Sequence, residues 1–284
     1  MLPGGSQRIG PDHAPSGPAH RAVGHRPRLA RGAGLRRESR RRRRPESREV
    51  ILSPRLIASN ALIAALPRKD RLRLVAGCED VALTRQETIL EPDKRVQHVH
   101  FPTSGFISLL APVDGITRLE VGLVGDEGMV GTPLALGIDL SPLGAIVQGP
   151  GRALRIAAAP FRRELARSTA LRTLLDKYLF VRMAQLAQSA GCTRFHLVEA
   201  RLARWLLMTH DRAHSPTFCI THEFLAVVLG VRRAGVTQAA RSLLGRGLIH
   251  YRRGELQVLD RGGLEAASCA CFRADLAVYR RVLG

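Results

Sequence analysis

The spacing of hydrophobic positions changes once along the chain. Between residues 51 and 160, two short helical runs with a turn at Pro67–Arg68 precede a series of short apolar runs. These runs recur about every ten residues with Gly, Pro or Asp between them, which is typical of a small β-sandwich or barrel. In the second run we expect a tight turn between Pro102 and Gly105. The apolar runs are VALTRQETIL, HVHFPTSGFISLLA, ITRLEVGLVG, GAIVQG and RALRIA.

From residue 161 the apolar positions follow a helical period. The stretch FRRELARSTALRTLLDKYLFVRMAQLAQSAG predicts one long helix over residues 161–191 that is apolar on more than one face. Such a helix packs either inside its own domain or against its copy in a dimer, and we expect the dimer. A second helix, HLVEARLARWLLMTHDRA, directs an apolar face toward a core. Its predicted core positions are Leu197, Ala200, Leu202, Ala203, Leu206 and Leu207.

The stretch LAVVLGVRRAGVTQAARSLLGRGLI, residues 225–249, has the spacing of a helix-turn-helix. We predict helices over His222–Leu229 and Arg232–Leu244, with Gly230 in the turn and Thr221 as the N-cap of the first helix. The predicted inward positions are Leu225, Ala226, Leu229, Val231, Val236 and Ala239. The positions left exposed are Arg232, Arg233, Thr237, Gln238 and Arg241. Side chains at these exposed positions can reach base edges or phosphates in a major groove.

A predicted β-hairpin follows the second helix. Its strands are Leu248–Tyr251 and Glu255–Leu259, and its turn is Arg252–Arg253–Gly254. Arginines at the tip of a hairpin directly after a recognition helix are typical of a wing that contacts phosphates, and we expect Thr221, Arg252 and Arg253 to join the DNA-binding set. The alternative is that the arginines form only a solvated surface.

Charge supports the first of these interpretations. The protein has 44 basic and 24 acidic side chains, for a formal net charge of +20. Residues 51–159 hold 11 of each sign, whereas residues 160–284 hold 20 basic and 9 acidic side chains. A basic C-terminal part indicates an anionic partner, with nucleic acid first among the candidates. The neutral middle part fits a sensing or scaffolding domain.

The first fifty residues differ from the rest. They contain 13 arginines and 4 acidic residues among Gly and Pro, without an apolar period, which predicts disorder. The run Arg40–Arg44 is either a nucleic-acid-binding arm or part of a segment upstream of the true start. No apolar run follows the basic N-terminus, and no stretch is long enough to span a membrane. We expect a cytoplasmic protein without a membrane partner, and five scattered cysteines fit that reducing compartment.

The chain from about Leu52 to Gly284 resembles the Crp/Fnr family of bacterial transcription regulators. The resemblance rests on HVHFPTSGFISLL, EVGLVGDEGMVG, HLVEARLARWLLMTHDRA and LGVRRAGVTQAARSLLGRGLI, in this order. It implies an α+β fold with an N-terminal β-roll sensor domain of the cyclic-nucleotide-binding type over residues 51–160, a long dimerisation helix over residues 161–191 and a C-terminal winged helix-turn-helix domain over residues 192–284. It also implies a homodimer on double-stranded DNA, with RNA polymerase as a further partner.

Within the resemblance, two positions bear on specificity and ligand. Arg233 falls where the family commonly has its guanine-reading arginine, but the next position, acidic in many members, is Ala234. Cyclic-nucleotide-binding members use a Gly-Glu pair, whose Glu contacts the ribose, and a downstream Arg that holds the phosphate. Here Gly125 and Glu127 are present, but no arginine lies between Arg118 and Arg152. We therefore expect a sensor that does not bind cyclic nucleotides tightly.

Few residues offer metal or catalytic chemistry. The cysteines without a near neighbour in sequence are Cys78, Cys192 and Cys219. Cys269 and Cys271 are predicted to share a helix, where side chains two positions apart diverge by about 200°, so we expect a buried pair and no metal ligands. Two histidine pairs lack an evident third ligand, His98 with His100 and His210 with His214. No nucleophile elbow, zinc-protease helix or dinucleotide fingerprint is present, so we expect neither an enzyme nor a cofactor.

Two functions of different class are consistent with the sequence. The first is a homodimeric, sequence-specific DNA-binding regulator with a sensor that has lost its usual ligand. The second is a non-DNA ligand-sensing or protein-interaction module whose basic face is incidental. DNA binding that weakens steeply with salt favours the first, because arginines that contact phosphates displace counterions. The sequence assigns no effector.

Overall fold

The computed structural model describes residues 59–113 and 118–284. The predictions for residues 1–50, including the run Arg40–Arg44, lie outside the described residues. Helix α1 (Ala61–Ala64) is capped by Asn60, and α2 (Arg68–Ala76) follows the turn predicted at Pro67–Arg68.

An antiparallel sheet follows the two short helices. Its strands are β1 (Cys78–Leu83), β2 (Thr88–Leu90), β3 (His98–Pro112), β4 (Arg118–Val124) and β5 (Gly144–Ala157). They lie in the order β1-β5-β3-β4, with β2 also paired to β5. The alternating apolar side chains of these strands pack with α1 and α2 into one core, because one face of each strand is turned inward.

The predicted tight turn between Pro102 and Gly105 is wrong. β3 continues through this stretch for 15 residues, and its register against β5 shifts between Pro102 and Phe106. Gly105 has a φ of +73°, and a side chain there would collide with the carbonyl groups of Gly149 and Pro150. The Pro and Gly therefore mark a bulged part of one long strand. In the same way, GAIVQG and RALRIA belong to the single strand β5.

Three helices come next, α3 (Ala158–Arg167), α4 (Thr169–Phe195) and α5 (Val198–Ala213). The one helix predicted over residues 161–191 is thus two, because Ser168 has an extended backbone and its hydroxyl caps α4 by accepting from Leu171 N at 3.0 Å. Leu197, predicted to face the core, is 81% exposed, since it precedes α5 and lies off the helical face. Leu202, Leu206 and Leu207 are buried as predicted.

The C-terminal part consists of β6 (Thr217–Cys219), α6 (His222–Leu229), α7 (Arg233–Gly245), β7 (Ile249–Arg252), β8 (Glu255–Val258), α8 (Arg261–Ala267) and α9 (Cys271–Leu283). The three short strands form a second antiparallel sheet in the order β6-β8-β7. Helices α6 and α7 make the predicted helix-turn-helix, and β7 and β8 make the predicted wing. The α+β fold class is confirmed.

A second apolar core links the two parts of the chain. It contains side chains of α5, α6, α7 and the wing, together with Phe106 and Leu123 from the first sheet. The first sheet thus contributes to the core of the helix-turn-helix region. Within the described ranges, every helix is too short or too polar to cross a membrane.

Candidate nucleic-acid interface

The turn between α6 and α7 has the geometry that its residues predict. The Thr221 hydroxyl caps α6 by accepting a hydrogen bond from Phe224 N at 3.2 Å. Gly230 has a φ of +60°, a left-handed conformation that glycine adopts without a steric cost. Leu225, Leu229 and Val236 are buried beneath the turn and fix the crossing of the two helices.

Helix α7 presents one open polar face. Arg233, Ala234, Thr237, Gln238 and Arg241 line a single shallow groove. Arg233 Nε lies 3.0 Å from the Glu223 carboxylate, and both side chains are more than 60% exposed. An exposed ion pair of this kind is worth little, so an incoming anion can replace Glu223 as the partner of Arg233. Arg232 is also exposed, but it precedes α7 with an extended backbone and does not form its first turn.

The Thr237 hydroxyl is already engaged inside the domain. It donates to the carbonyl of Arg233 at 3.1 Å and lies 3.2 Å from Nδ1 of His222. The His222 ring stacks on Tyr251 of the wing, with ring centroids 4.7 Å apart. Burial, together with the charge of Arg233, lowers the pKa of His222 and keeps the ring neutral near pH 7. The sequence analysis missed His222, because only the tertiary fold brings α6, α7 and β7 together at this point.

The wing ends in a two-residue turn. Arg252 pairs with Glu255 across the hairpin, which leaves Arg253 and Gly254 as the turn residues. Both have positive φ, +51° and +81°, as a type I′ turn requires. Arg252 and Arg253 are exposed at this tip, on the same domain as the open face of α7.

In the loop after β4, Glu127 has a partner within the protein. Its carboxylate accepts from Arg212 Nε at 2.9 Å and from Gly125 N at 3.1 Å. Arg212 lies on α5, so this ion pair joins the loop after β4 to the helix-turn-helix region. The carboxylate that the family resemblance assigns to a nucleotide ribose is therefore occupied by an arginine of the same chain.

Glu120 on β4 also contacts α5. The hydroxyl of Ser108 donates to one carboxylate oxygen at 2.6 Å, and the indole N–H of Trp205 donates to the other at 2.7 Å. Burial raises the pKa of Glu120 to about 7, against the opposing effect of these hydrogen bonds and of Arg212 and Arg204. This carboxyl group titrates near neutral pH at the contact between the sheet and α5.

Cys192 has no near cysteine neighbour in sequence, but the fold places it in a cluster. Ligand atoms of Cys192, His196, Cys269 and Cys271 all lie within 4.8 Å of one another. The helical argument against Cys269 and Cys271 fails, because Cys269 precedes α9 and only Cys271 is helical. The predicted burial of both cysteines is confirmed.

The two histidine pairs belong to no such cluster within the described ranges. His98 and His100 meet edge to face, with ring centroids 6.2 Å apart, and burial lowers the pKa of His100 to about 4. His214 lies 2.8 Å from the Asp126 carboxylate.

Comparison with known proteins agrees with this architecture. The sequence model of the Crp-like helix-turn-helix domain matches residues 200–267. A search of the curated proteins gives no match. Among solved structures, the chain is similar to a Crp/Fnr-family transcriptional regulator from Eubacterium rectale, with a TM-score of 0.59, 16% identity and coverage of 74% of this chain and 98% of that one.

Two further structures have the same fold. The c-di-GMP-responsive global regulator CLP of Xanthomonas campestris has a TM-score of 0.55 and 17% identity, over 68% of this chain and all of that one. A CRP-family regulator from Thermus thermophilus has a TM-score of 0.56 and 17% identity, over 66% of this chain and 96% of that one. The fold and the matched domain define a DNA-binding transcriptional regulator with a winged helix-turn-helix. More particularly, its C-terminal part contains a Crp-like helix-turn-helix domain, and its fold is that of the Crp/Fnr-family regulators to which it is similar.

Proposed function

We propose that the protein binds a two-fold symmetric site on double-stranded DNA as a homodimer, reading bases with α7 and contacting phosphates with the wing. The observation that carries the proposal is the open face of α7, where Arg233, Gln238 and Arg241 are exposed beside a basic wing. Arginine and glutamine are the side chains that read guanine and adenine edges in a major groove.

Each predicted contact has a distinct role in this proposal. Arg233 and Gln238 contact base edges, whereas Arg232, Arg241, Arg252 and Arg253 contact phosphates. Thr221 supports the interface as the cap of α6, and its hydroxyl, which hydrogen-bonds to the exposed Glu223 carboxylate, can donate to a phosphate in its place. Because the Thr237 hydroxyl donates to Arg233 O, its methyl group is the part of this side chain that contacts DNA.

The homodimer is proposed from an apolar stripe on α4. Phe180, Met183 and Leu186 are 54%, 68% and 40% exposed, and their spacing of three residues places them along one side of the helix. An exposed apolar stripe on a long helix is suited to a copy of itself across a two-fold axis. We expect Met183→Glu to give a monomer in light scattering. Ile138→Glu, at a 51% exposed position of the sensor part, is the matched control and leaves the dimer intact.

The sensor is proposed to have lost tight binding of cyclic nucleotides. The support is the ion pair of Glu127 with Arg212, together with the absence of an arginine between Arg118 and Arg152 in the sequence. Calorimetric titration with cAMP is expected to give no heat of binding. One structural neighbour is described as c-di-GMP-responsive, so c-di-GMP is titrated alongside as a second nucleotide.

The test of DNA recognition is an in vitro selection with the full chain at two salt concentrations. We expect a palindromic motif with half-sites about one helical turn apart. The paired variant Arg252→Ala/Arg253→Ala keeps the motif but binds more weakly on all sequences, and its salt slope falls by about 1 for each phosphate that the wing no longer neutralises. Selection of no motif, together with binding that does not change with salt, would favour the non-DNA interaction module instead. RNA polymerase remains a proposed partner, implied by the family resemblance.

A further inference from the structure

Three cysteines and one histidine meet where α4 ends and α9 begins. Cys192 lies in the last turn of α4, and His196 is the residue at which that helix ends. Cys269 and Cys271 stand at the start of α9. All four ligand atoms lie within 4.8 Å of one another, and the three cysteines are buried. No DNA contact proposed above uses any of these side chains.

The distances between these atoms match a shared tetrahedral ion. Sγ of Cys192 and Sγ of Cys269 are 3.5 Å apart, and Sγ of Cys271 lies 3.5 Å from Nδ1 of His196. A tetrahedron with metal–sulfur bonds of about 2.3 Å has edges of about 3.8 Å. In an iron–sulfur cluster the four protein ligands are divided over at least two irons, so ligand atoms on different irons stand further apart than the four atoms here, which all lie within 4.8 Å of one another.

The surrounding charges also favour a negative group at this point. Arg201 and Arg204 are both buried, and both interact electrostatically with Cys192. Arg204 pairs with Asp275, whereas Arg201 has no carboxylate partner among the described residues and donates to the carbonyl of Leu229. Two guanidinium groups and the Asp275 carboxylate leave an excess positive charge of up to +1, which Glu120, close to Arg204 and with a pKa of about 7, offsets only in part. A divalent ion with three thiolates and a neutral imidazole carries −1 and balances it.

A neighbouring amide holds one of the sulfur atoms. Nε2 of Gln188, one turn before Cys192 on α4, donates to Sγ of Cys271 at 2.9 Å. Donors of this kind orient a metal-binding thiolate and stabilise its charge.

We propose that Cys192, His196, Cys269 and Cys271 bind one structural zinc ion in a closed Cys₃His site. The ion joins the end of α4 to the start of α9 and so fixes the helix-turn-helix region to the proposed dimerisation helix. A site with four protein ligands leaves no open position, so its role is to stabilise the structure.

The test begins with the metal content of the full chain, purified under reducing conditions without a histidine tag. We expect about one zinc per chain by mass spectrometry, and replacement by cobalt(II) gives the absorption of a tetrahedral ion with three thiolate ligands. Cys192→Ser, Cys269→Ser and Cys271→Ser are each expected to lower the zinc content at least tenfold. Cys219→Ser, at an exposed cysteine outside the cluster, is the matched control and keeps the full content.

Because a cysteine variant can fail to fold for other reasons, Gln188→Ala provides a milder test. It leaves all four ligands in place and is expected to weaken zinc binding about 10–100-fold in competition with a chelator. The proposal is overturned by protein that takes up no stoichiometric metal, by iron with acid-labile sulfide, or by a Cys192–Cys269 disulfide in metal-free protein. Equal zinc loss in Cys219→Ser overturns it as well.

Discussion

The carboxyl group of Glu120 allows a quantitative test of the contact between the first sheet and α5. Its pKa in the folded protein is about 7, against an ordinary value of 4.5, because the group is buried between Ser108 and Trp205. Between pH 4.5 and about pH 7, Glu120 keeps its proton in the folded state, whereas the same carboxyl group has released it in the unfolded state. The free energy of unfolding therefore falls as the pH rises from about 4.5 to 7 and is lowest, for this group, above pH 7.

The size of the effect follows from the shift. A difference of about 2.5 pKa units corresponds to about 3 kcal/mol at 1.36 kcal/mol per unit. Glu120→Gln removes the charge and can keep both contacts, since the amide oxygen accepts from Trp205 and the amide nitrogen donates to Ser108. We expect the variant to exceed the parent protein by about 1 kcal/mol at pH 5 and by up to about 3 kcal/mol at pH 8.

Urea unfolding at a series of pH values measures this difference. Trp205 is the only tryptophan, so its fluorescence reports on the region around Glu120. Glu79→Gln is the matched control, because Arg155 lowers the pKa of this exposed carboxyl group and the pH effect has the opposite sign and a small size. A stability difference between Glu120→Gln and the parent that is the same at pH 5 and pH 8 would refute the argument.

Three further predictions concern the helix-turn-helix. Arg233→Ala is expected to cost about 1–3 kcal/mol on the selected DNA site and to relax the preference at one base pair, which repetition of the selection measures. An unchanged motif would show that α7 does not read bases through Arg233. Gly230→Ala is expected to lower the free energy of unfolding by about 1–2 kcal/mol, since φ is +60° and Leu119 Cδ1 lies 3.0 Å from the added Cβ; thermal unfolding tests this. Thr221→Ala removes the cap of α6 and is expected to cost about 0.5–2 kcal/mol in the same assay, whereas Thr221→Ser retains the cap and most of the stability.

The helix-turn-helix could be predicted from the sequence because its geometry is local. Gly230, the buried positions Leu225 and Val236, and the N-cap Thr221 lie within 16 consecutive residues, so helical periodicity and turn chemistry suffice to place them. The wing could be predicted for the same reason, although the positive φ of Arg253 is visible only in the structure.

The features that the sequence did not predict are non-local or depend on strand pairing. Gly105 looks like a turn in sequence, and only pairing with β5 shows that the strand continues through it. Cys192 and Cys269 are 77 residues apart, and no periodicity connects them. Their proximity results from the packing of α9 against α4, which is fixed by the whole fold.

The core that contains Phe106 and Leu123 has a consequence for protein engineering. Both side chains belong to the first sheet, yet they are buried among Leu202, Trp205 and Leu206. A helix-turn-helix region excised from this chain would therefore expose the apolar surface that these two residues cover. A chimera that joins the DNA-binding part to a different N-terminal domain would need apolar side chains equivalent to Phe106 and Leu123 where that domain contacts α5. A transferred DNA-binding part must therefore include every residue of this core, even where the core extends beyond the helix-turn-helix motif in the sequence.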